Sequence, residues 1–395
     1  MNSYIKSTNP NSRIVQIDVL RGFAIFGVLL VNVFGFNSSF FDFGGFYGLF
    51  TDSVNSGVFH FMINYAADKF IALFSFLFGI GFSIMYLKYQ SNEKQFFNLY
   101  LRRLLVLMVI GIIHIVFFWA GDILFIYSIV GIILLLSRKL PSGLLLAISI
   151  IIFCFPVIYI ALGVVFPFLP NALSAASNIS IPEVVEIYSK GSVSEVFMLR
   201  LNEYYAFRNL NIFYYTPKIF SLFVMGYLFY KHKFLEKINL LKGKYFILGI
   251  ILFVIGMLLN TYTVEIVGSI TGGEANIYDE TLYTAVFEIA SIFLSGSYLF
   301  VILVLSQVAF FKSILKPFKY VGRMSLTNYL VASIFFSLLM YSYGFGKFGS
   351  FEPWQLVLFA VVFFAVQILI SQMILKHFKY GPMEWVWRKL TYLNW

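Results

Sequence analysis

The chain has 395 residues, of which 60% are hydrophobic and only 12% are charged, and its formal net charge at pH 7 is +10. A soluble globular protein carries about twice that charged fraction, so the composition excludes an ordinary soluble domain. The basic residues stand in short clusters between long apolar runs, which is typical of a membrane protein and not of a nucleic-acid-binding face. We therefore expect an all-α, polytopic helical bundle whose partner is the lipid bilayer and not nucleic acid.

Apolar runs recur along the whole chain, and a hydrocarbon core of about 30 Å takes roughly 20 such residues to cross. The sequence predicts about ten transmembrane helices, at 16–36, 68–88, 104–120, 122–137, 143–168, 211–230, 244–263, 282–309, 321–343 and 354–375. The third and fourth runs are almost continuous, which predicts a tight helical hairpin around Gly121. Residues 1–395 are thus expected to form a single membrane domain.

The distribution of charge predicts how the helices are oriented. With the N-terminus in the cytoplasm, 22 of the 28 Lys and Arg residues fall on the inner side, and an even number of spans returns the C-terminus there too. The longest outer connection is 169–210. It contains Pro182-Glu183 followed by apolar residues at helical spacing, which favours a helix lying on the membrane surface.

Ionisable side chains at hydrocarbon depth cost several kcal/mol unless they are paired or hydrated, so each is a candidate for function. His114 lies near the middle of the third run, Asp122 opens the fourth, and Glu288 lies about two turns inside the eighth. Imidazole suits proton transfer near neutral pH, although His114 is also compatible with a hydrogen bond to a neighbouring helix. Asp122 is equally compatible with a helix N-cap.

Other polar residues stand at the ends of predicted helices. Asp18 and Arg21 lie three apart on one face of the first helix, as an interfacial ion pair or as part of a site. Lys69 begins the second helix as an anchor or a ligand, and His60 precedes that helix on the outer side. The single cysteine excludes an internal disulfide and, without a paired-histidine motif, makes a zinc site unexpected. The sequence contains no phosphate-binding glycine loop followed by Lys-Ser/Thr, so we do not expect ATP hydrolysis by this chain.

Several stretches resemble a known family. They include RIVQIDVLRGFAIFGVLLVN (13–32), KFIALFSFLFGIGF (69–82), RRLLVLMVIGIIHIVFFWAGDILFIYSIVG (102–131), VGRMSLTNYL (321–330), YGFGKFG (343–349) and FKYGPMEWVWRKLTY (378–392). Together they are similar to the bacterial YeiB-type family of multipass membrane proteins, over about residues 13 to 392. The resemblance implies a bacterial cytoplasmic membrane location and, from the family's description, a role in transport.

The N-terminal pattern Asp-x-x-Arg-Gly followed by Asn also resembles a second group, the transmembrane acyltransferases typified by the lysosomal heparan glucosaminide acetyltransferase. The matching residues are Asp18, Arg21, Gly22 and Asn32. This resemblance implies transfer of an acyl group from cytoplasmic acyl-CoA to an acceptor across the membrane. It also implies a reactive histidine before the second helix, where this chain has His60, although the spacing from His60 to Asp68 departs from the pattern.

Two hypotheses follow. In the enzyme hypothesis, His114 or His60 acts as general base and Asp122 or Glu288 orients it. The residues predicted to bind substrate or acyl-CoA are Asp18, Arg21, Asn32, Lys69, Arg323 and Asn328. Acyl-CoA is then a co-substrate, no cofactor is tightly bound, and the acceptor is a small molecule, glycan or lipid.

In the transport hypothesis, Asp122, Glu288 and His114 form a proton or ion relay coupled to a small solute. Either function is compatible with a monomer or a homodimer, and acyl transfer is the hypothesis that we favour, with transport as the alternative.

Overall fold

A computed structural model describes residues 14–39, 41, 43–158, 179–269 and 277–392. The helices are α1 Val15–Asn37, α2 Phe43–Gly48, α3 Ser53–Tyr65, α4 Lys69–Lys88, α5 Glu93–Phe117, α6 Leu124–Ser137, α7 Ser142–Phe153, α8 Ile181–Lys190, α9 Val193–Ala206, α10 Thr216–Lys231, α11 Phe234–Leu240, α12 Lys242–Ser269, α13 Ile277–Leu305, α14 Ala309–Leu315, α15 Phe318–Arg323, α16 Ser325–Met340, α17 Pro353–His377 and α18 Pro382–Tyr392. No strand occurs in these ranges. The predicted end of the fifth run, 159–168, lies outside them.

Seven apolar segments in the described part of the chain are long enough to cross a membrane, and they contain α1, α3 with α4, α5, α10, α12, α13 and α17. Three shorter apolar segments contain α6, α7 and α16. Since every described element is helical and most are apolar, the prediction of an all-α polytopic membrane bundle is confirmed. The number of spans stays a prediction, because three of the predicted helices are shorter than a bilayer requires.

The segment before the second predicted span is helical. Helix α3 begins at Ser53, where Asp52 accepts hydrogen bonds from two backbone N–H groups of the first turn, as an N-cap residue does. The break between α3 and α4 falls at Asp68, which has a positive φ of 62°. A left-handed conformation is uncommon for a non-glycine residue, and it redirects the chain at the start of α4. His60 therefore lies on a helix.

Helices α4 and α10 form one of the closest contacts in the bundle. Gly79 of α4 faces the carbonyl of Phe223, and Gly226 of α10 faces the carbonyl of Phe76, so that a Cβ at either glycine would collide with backbone. Small residues at such crossings let helix backbones approach in a lipid environment, where packing and not hydrophobicity drives association. The crossing fixes the position of α10 against the wall formed by α4.

Two amphipathic helices lie beside the bundle. Helix α8, in the predicted outer connection, buries Val184 and Tyr188 on one face. Helix α18 follows the last long helix and packs against the start of α16 and against α5: Glu384 accepts hydrogen bonds from α16, and Trp387 donates one to the carbonyl of Arg103 at 2.8 Å. The C-terminal helix thus covers one end of the bundle.

Candidate functional site

A cavity of about 340 Å³ lies between α1, α4, α5, α16 and α18. We call it the basic cavity, because its lining contains five cationic side chains and only two carboxylates. The cationic residues are Arg21, Lys88, Arg103, Arg323 and Arg388, and the acidic ones are Asp18 and Glu384. An excess of positive charge in a partly enclosed space attracts an anionic ligand.

The cationic side chains are held in place by neighbours on several helices. Arg21 contacts Asp18 at 3.5 Å, and the guanidinium of Arg103 stacks on the ring of Trp387 at 3.8 Å. Arg388 of α18 stacks on the ring of Tyr380, which lies just before that helix, with 4.3 Å between the guanidinium carbon and the ring centroid. Stacked guanidinium groups keep N–H groups available at their edges, which suits recognition of phosphate or carboxylate.

The Asp-x-x-Arg-Gly pattern now has a structural reason. Gly22 of α1 lies against the carbonyl of Phe318, and Gly322 of α15 lies against the carbonyl of Asp18, with no room for a Cβ at either position. This close crossing brings Arg21 to the cavity beside α15. The pattern therefore combines a helix contact with a charged cavity residue.

Glu384 uses its carboxylate to hold the N-terminus of α16. Oε1 accepts hydrogen bonds from the backbone N–H groups of Leu326 at 2.8 Å and Thr327 at 3.1 Å, and Oε2 accepts one from the Thr327 hydroxyl at 2.6 Å. Burial raises the pKa of this carboxyl above its usual range. Even with Glu384 ionised, the five cationic side chains of the lining outnumber its two carboxylates.

The cavity becomes apolar away from its charged mouth. Its walls there include side chains such as Val28, Leu77 and Leu107, and its deep end is formed by Ile123, Leu124, Tyr127 and Tyr329. The Tyr127 hydroxyl is hydrogen-bonded to Ser75 at 2.7 Å and so is committed to α4. The shape suits a ligand that has an anionic head and an apolar tail.

His114 and Asp122 lie just beyond the deep end of the basic cavity. His114 Nδ1 is 2.9 Å from Asp122 Oδ2, both side chains are completely buried, and the contact lies outside normal hydrogen-bond angles. Asp122 Oδ1 accepts a hydrogen bond from the backbone N–H of Phe125 at 2.7 Å. One carboxylate oxygen of Asp122 thus supports the start of α6, one residue before its N-cap Ile123, and the other oxygen faces the imidazole. No described residue hydrogen-bonds to His114 Nε2.

Glu288 belongs to a different group of charged side chains. Lys218 Nζ lies 2.9 Å from Glu288 and 3.6 Å from Asp68. The Tyr214 hydroxyl donates to Glu288 and lies 3.3 Å from Asp68 Oδ2. We call these four residues the Lys218 cluster. The structure brings Asp122, and not Glu288, to His114.

Local backbone irregularities position two members of the Lys218 cluster. Tyr214 lies in a π-helical turn, Asn211–Tyr215, directly before α10, and Asp68 has the left-handed conformation described above. Such irregularities are often retained where a side chain must be aimed at a site. Lys69, also buried, donates to the Ile63 carbonyl at 3.1 Å and lies 3.9 Å over the ring of Phe287. It is a neighbour of the cluster and not a cavity residue.

The remaining predicted residues occupy three places. Arg323 lines the basic cavity, whereas Asn32 and Asn328 line a small chamber of about 10 Å³ on the other side of Tyr329. His60 is exposed on α3, with its ring 6.1 Å from that of Phe59, and is not brought together with the His114–Asp122 pair.

Sequence reasoning missed several residues of these sites. Glu384 and Arg388 were read only as part of a family motif, although their string, Tyr-Gly-Pro-Met-Glu-Trp-Val-Trp-Arg, combines aromatic and charged residues at helical spacing. Lys218 lies inside the predicted span 211–230, and a lysine at that depth is a signal for a buried partner. Tyr329 gave no signal, since a tyrosine in an apolar run is ordinary.

The fold and its cavities define the class: an α-helical membrane protein with a basic cavity that ends beside a buried imidazole–carboxylate pair. Residues 229–394 match the family model described as "Protein of unknown function (DUF418)". The chain is 30% identical to "Uncharacterized protein YxaH" of Bacillus subtilis, covering 100% of this chain and 98% of the relative. It is 27% identical to "Uncharacterized protein YeiB" of Escherichia coli, covering 96% of each chain.

A third relative is the "Uncharacterized 39.9 kDa protein in amylase 3'region" of Bacillus acidopullulyticus, which is 26% identical over 97% of this chain and 94% of its own length. No solved structure gives a significant match. The chain belongs to the YeiB-type family of proteins of unknown function, and the resemblance read from its motifs is confirmed.

Proposed function

We propose that this protein transfers an acyl group from cytoplasmic acyl-CoA to an acceptor at the outer face of the bacterial cytoplasmic membrane. One observation carries the proposal. A cavity with five cationic side chains in its lining ends at the side chains that cover a buried imidazole–carboxylate pair. A phosphate-rich head and a reactive thioester at opposite ends of one ligand match this arrangement.

The cationic mouth suits the phosphates of coenzyme A. Guanidinium groups bind phosphate through charge-assisted and often bidentate hydrogen bonds, which favours the arginines over the single lysine of the lining. Along α5, Arg103 at the mouth and His114 are separated by 11 residues, or about 16 Å at 1.5 Å per residue. The length of an extended pantetheine arm is of this order, so phosphates at the mouth are compatible with a thioester near His114.

His114 would act as the general base of the transfer. Asp122 faces Nδ1, which favours the tautomer with the proton on that nitrogen and leaves Nε2 as the acceptor. Nε2 takes the proton of the acceptor hydroxyl or amine while the acceptor atom forms a bond to the thioester carbon. The carbon–sulfur bond then breaks, and the coenzyme A thiolate leaves with the proton returned by the imidazolium.

The orientation in the membrane is part of the same proposal. The basic cavity opens at the end of the bundle where α18 and the other short basic helices lie, and the positive-inside rule favours that end as cytoplasmic. Both chain termini are then cytoplasmic. On the opposite side of the pair, buried Arg200 of α9 donates to the carbonyl of Val116, two residues beyond His114, at 3.0 Å. An acceptor would approach from this outer side.

Calorimetry of acetyl-CoA binding to the detergent-purified protein tests the proposal. We expect saturable binding, and we expect Arg21→Ala to raise Kd by about tenfold, since a charge-assisted hydrogen bond contributes on the order of 1.5 kcal/mol. Lys376→Ala removes a positive charge from an exposed position near the same end of the bundle and is the matched control. Lack of binding of both acetyl-CoA and longer acyl-CoAs to folded protein, or equal weakening by the two variants, would contradict the proposal.

Ion-coupled transport of a small solute is the second candidate, and the Lys218 cluster favours it. Buried carboxylates paired with a lysine inside a membrane domain are typical of proton and ion relays. Purified protein in liposomes that enclose a pH-sensitive dye would be screened with candidate solutes under a pH gradient. Solute-dependent proton flux that is lost in Glu288→Gln but kept in the exposed Glu183→Gln supports transport, and flux unaffected by Glu288→Gln argues against this relay.

A further inference from the structure

Tyr329 separates the basic cavity from the space beyond it. It is one of the few residues that line both the cavity of about 340 Å³ and the chamber of about 10 Å³. Its ring centroid lies 5.2 Å from that of His114, which is completely buried and does not line the cavity. Tyr329 therefore belongs to the part of the cavity wall that lies next to the imidazole.

The backbone that carries Tyr329 is anchored, so its side chain is the movable part. The neighbouring residue Asn328 donates to Ser371 at 3.0 Å, and its carbonyl accepts a hydrogen bond from Gln367 at 2.8 Å. Both partners belong to α17. These hydrogen bonds hold the backbone of α16 against α17 and so fix the Cα position of residue 329. Rotation about the side-chain torsions of Tyr329 is then the smallest movement that displaces its ring from the cavity wall.

The hydroxyl of Tyr329 is held less firmly than that of the other tyrosine at the deep end. It is buried and faces the backbone of Ile123 in a contact that falls outside normal hydrogen-bond geometry, whereas Tyr127 is bonded to Ser75 at 2.7 Å. The side-chain amide oxygen of Gln367, a residue that lines the same small chamber, has no hydrogen-bond partner among the described residues. The volume of the chamber, about 10 Å³, is close to the minimum that holds one water molecule.

From these contacts we infer that Tyr329 controls access to His114. Its ring closes the deep end of the basic cavity, and it turns aside when the reactive end of a ligand reaches the imidazole. Tyr329 is thus a positioning residue that decides what meets the His114–Asp122 pair. This goes beyond the proposed acyl transfer, because it makes a statement about accessibility that needs no acyl-CoA.

Chemical modification of histidine tests the inference directly. Diethyl pyrocarbonate transfers an ethoxycarbonyl group to a neutral imidazole nitrogen and releases carbon dioxide and ethanol. Peptide mass spectrometry measures the extent of modification of each histidine separately. In the full-length protein in detergent we expect His114 to react slowly and Tyr329→Ala to raise its rate at least about tenfold, since the barrier of local opening is removed. Tyr329→Phe keeps the ring and should keep the slow rate.

Three controls guard against other causes. Phe118→Ala removes a ring 6.2 Å from that of His114 that does not line the cavity, and it should leave the rate unchanged. The exposed His60 reports reagent activity in every sample, and thermal unfolding reports folding. If Tyr329→Ala does not fold, Tyr329→Leu replaces it, with an increase expected in the same direction.

The outcomes decide between access control and a purely structural role. Faster modification in the Ala or Leu variant, with the Phe variant and Phe118→Ala unchanged, supports the inference. An unchanged rate in a folded Ala or Leu variant, or an equal increase in Phe118→Ala, overturns it. Because acyl-CoA is absent from the assay, failure of the proposed function would leave this result standing, and the reverse also holds.

Discussion

The basic cavity and the Lys218 cluster are both built from charged side chains inside a membrane domain, yet their charges are balanced in opposite ways. In the cluster, Lys218 lies between the carboxylates of Asp68 and Glu288, and the Tyr214 hydroxyl adds a donor. In the cavity, five cationic side chains face two carboxylates, and one of these, Glu384, is engaged with a helix N-terminus.

This difference shows what each region is suited to do. In the cluster, the two carboxylates share the ammonium group of Lys218, so each ion has an oppositely charged partner within the fold and the group can persist without a ligand. A cavity with a surplus of one sign has unsatisfied capacity that an anionic ligand can use. The imidazole–carboxylate pair belongs to the second region, which is why we place the chemistry there and assign the Lys218 cluster a structural or coupling role.

Breaking the charge balance of the cluster should have the largest effect. Lys218→Met leaves two buried carboxylates without a cation, and loss of one partner of a buried ion pair costs about 3–5 kcal/mol of the free energy of unfolding. Thermal unfolding in detergent measures the loss. The double variant Lys218→Met with Glu288→Gln should recover part of it, since one of the unpaired charges is removed.

The matched control for that experiment lies on the same helix. Lys231 of α10 donates to the Ser142 hydroxyl at 3.2 Å and pairs with no carboxylate that the structure records. Lys231→Met should therefore cost about 1 kcal/mol or less. Equal destabilisation by the two single variants would show that the cluster is not a balanced ionic unit.

Asp122→Asn should separate catalysis from binding in the other region. An amide at this position presents its NH₂ group to Nδ1 in one orientation and so disfavours the tautomer that leaves Nε2 free. We expect turnover, followed as release of the coenzyme A thiol in the presence of an acceptor, to fall about 100-fold. Acetyl-CoA affinity should stay within about twofold, because Asp122 does not line the cavity.

Asp52→Asn is the comparison for that experiment, since asparagine caps a helix as well as aspartate does. It should leave both turnover and affinity unchanged. Full activity of Asp122→Asn would exclude the pair from the reaction. Loss of acetyl-CoA binding in the same variant would instead show that Asp122 supports the cavity wall.

The fold was predictable because each apolar run is read locally: a helix in lipid satisfies its own backbone hydrogen bonds, so length and hydropathy suffice. The proximity of His114 and Asp122 was nearly as local, since a short turn between two apolar runs brings their ends together. The α3 helix was less visible, because its apolar spacing is interrupted by polar residues such as Asn55 and Asn64.

Long-range partners could not be read in the same way. Glu288 meets Lys218 across 70 positions, and this depends on which helices are neighbours, which hydropathy does not specify. The sequence interpretation offered Glu288 as one of two partners for the histidine, whereas helix packing gives it to another site. The covering of the cavity by α18 was missed for a similar reason, because a short amphipathic helix after the last span predicts only a surface location.

Substitution of Glu384 should have the smallest effect on stability, and it tests specifically how the positive charge of the basic cavity is balanced. Burial raises the pKa of its carboxyl above the ordinary value of 4.5, so its ionised form is the less favoured one in the folded state. The contribution of Glu384 to stability is therefore fully present below that ordinary value, and it is lost as the pH rises through the raised pKa. Glu384→Gln keeps the acceptor oxygen but cannot ionise.

Thermal unfolding of the wild type and Glu384→Gln between about pH 4 and pH 8 should thus show the wild type losing stability relative to the variant as the pH rises. Exposed Glu236→Gln should give no such trend. A difference that grows in favour of the wild type with pH would mean that the ionised carboxylate is stabilised in the fold by the cations of the mouth. In that case Glu384 would offset their charge, and the capacity of the cavity for an anionic ligand would be smaller than the five cationic side chains suggest.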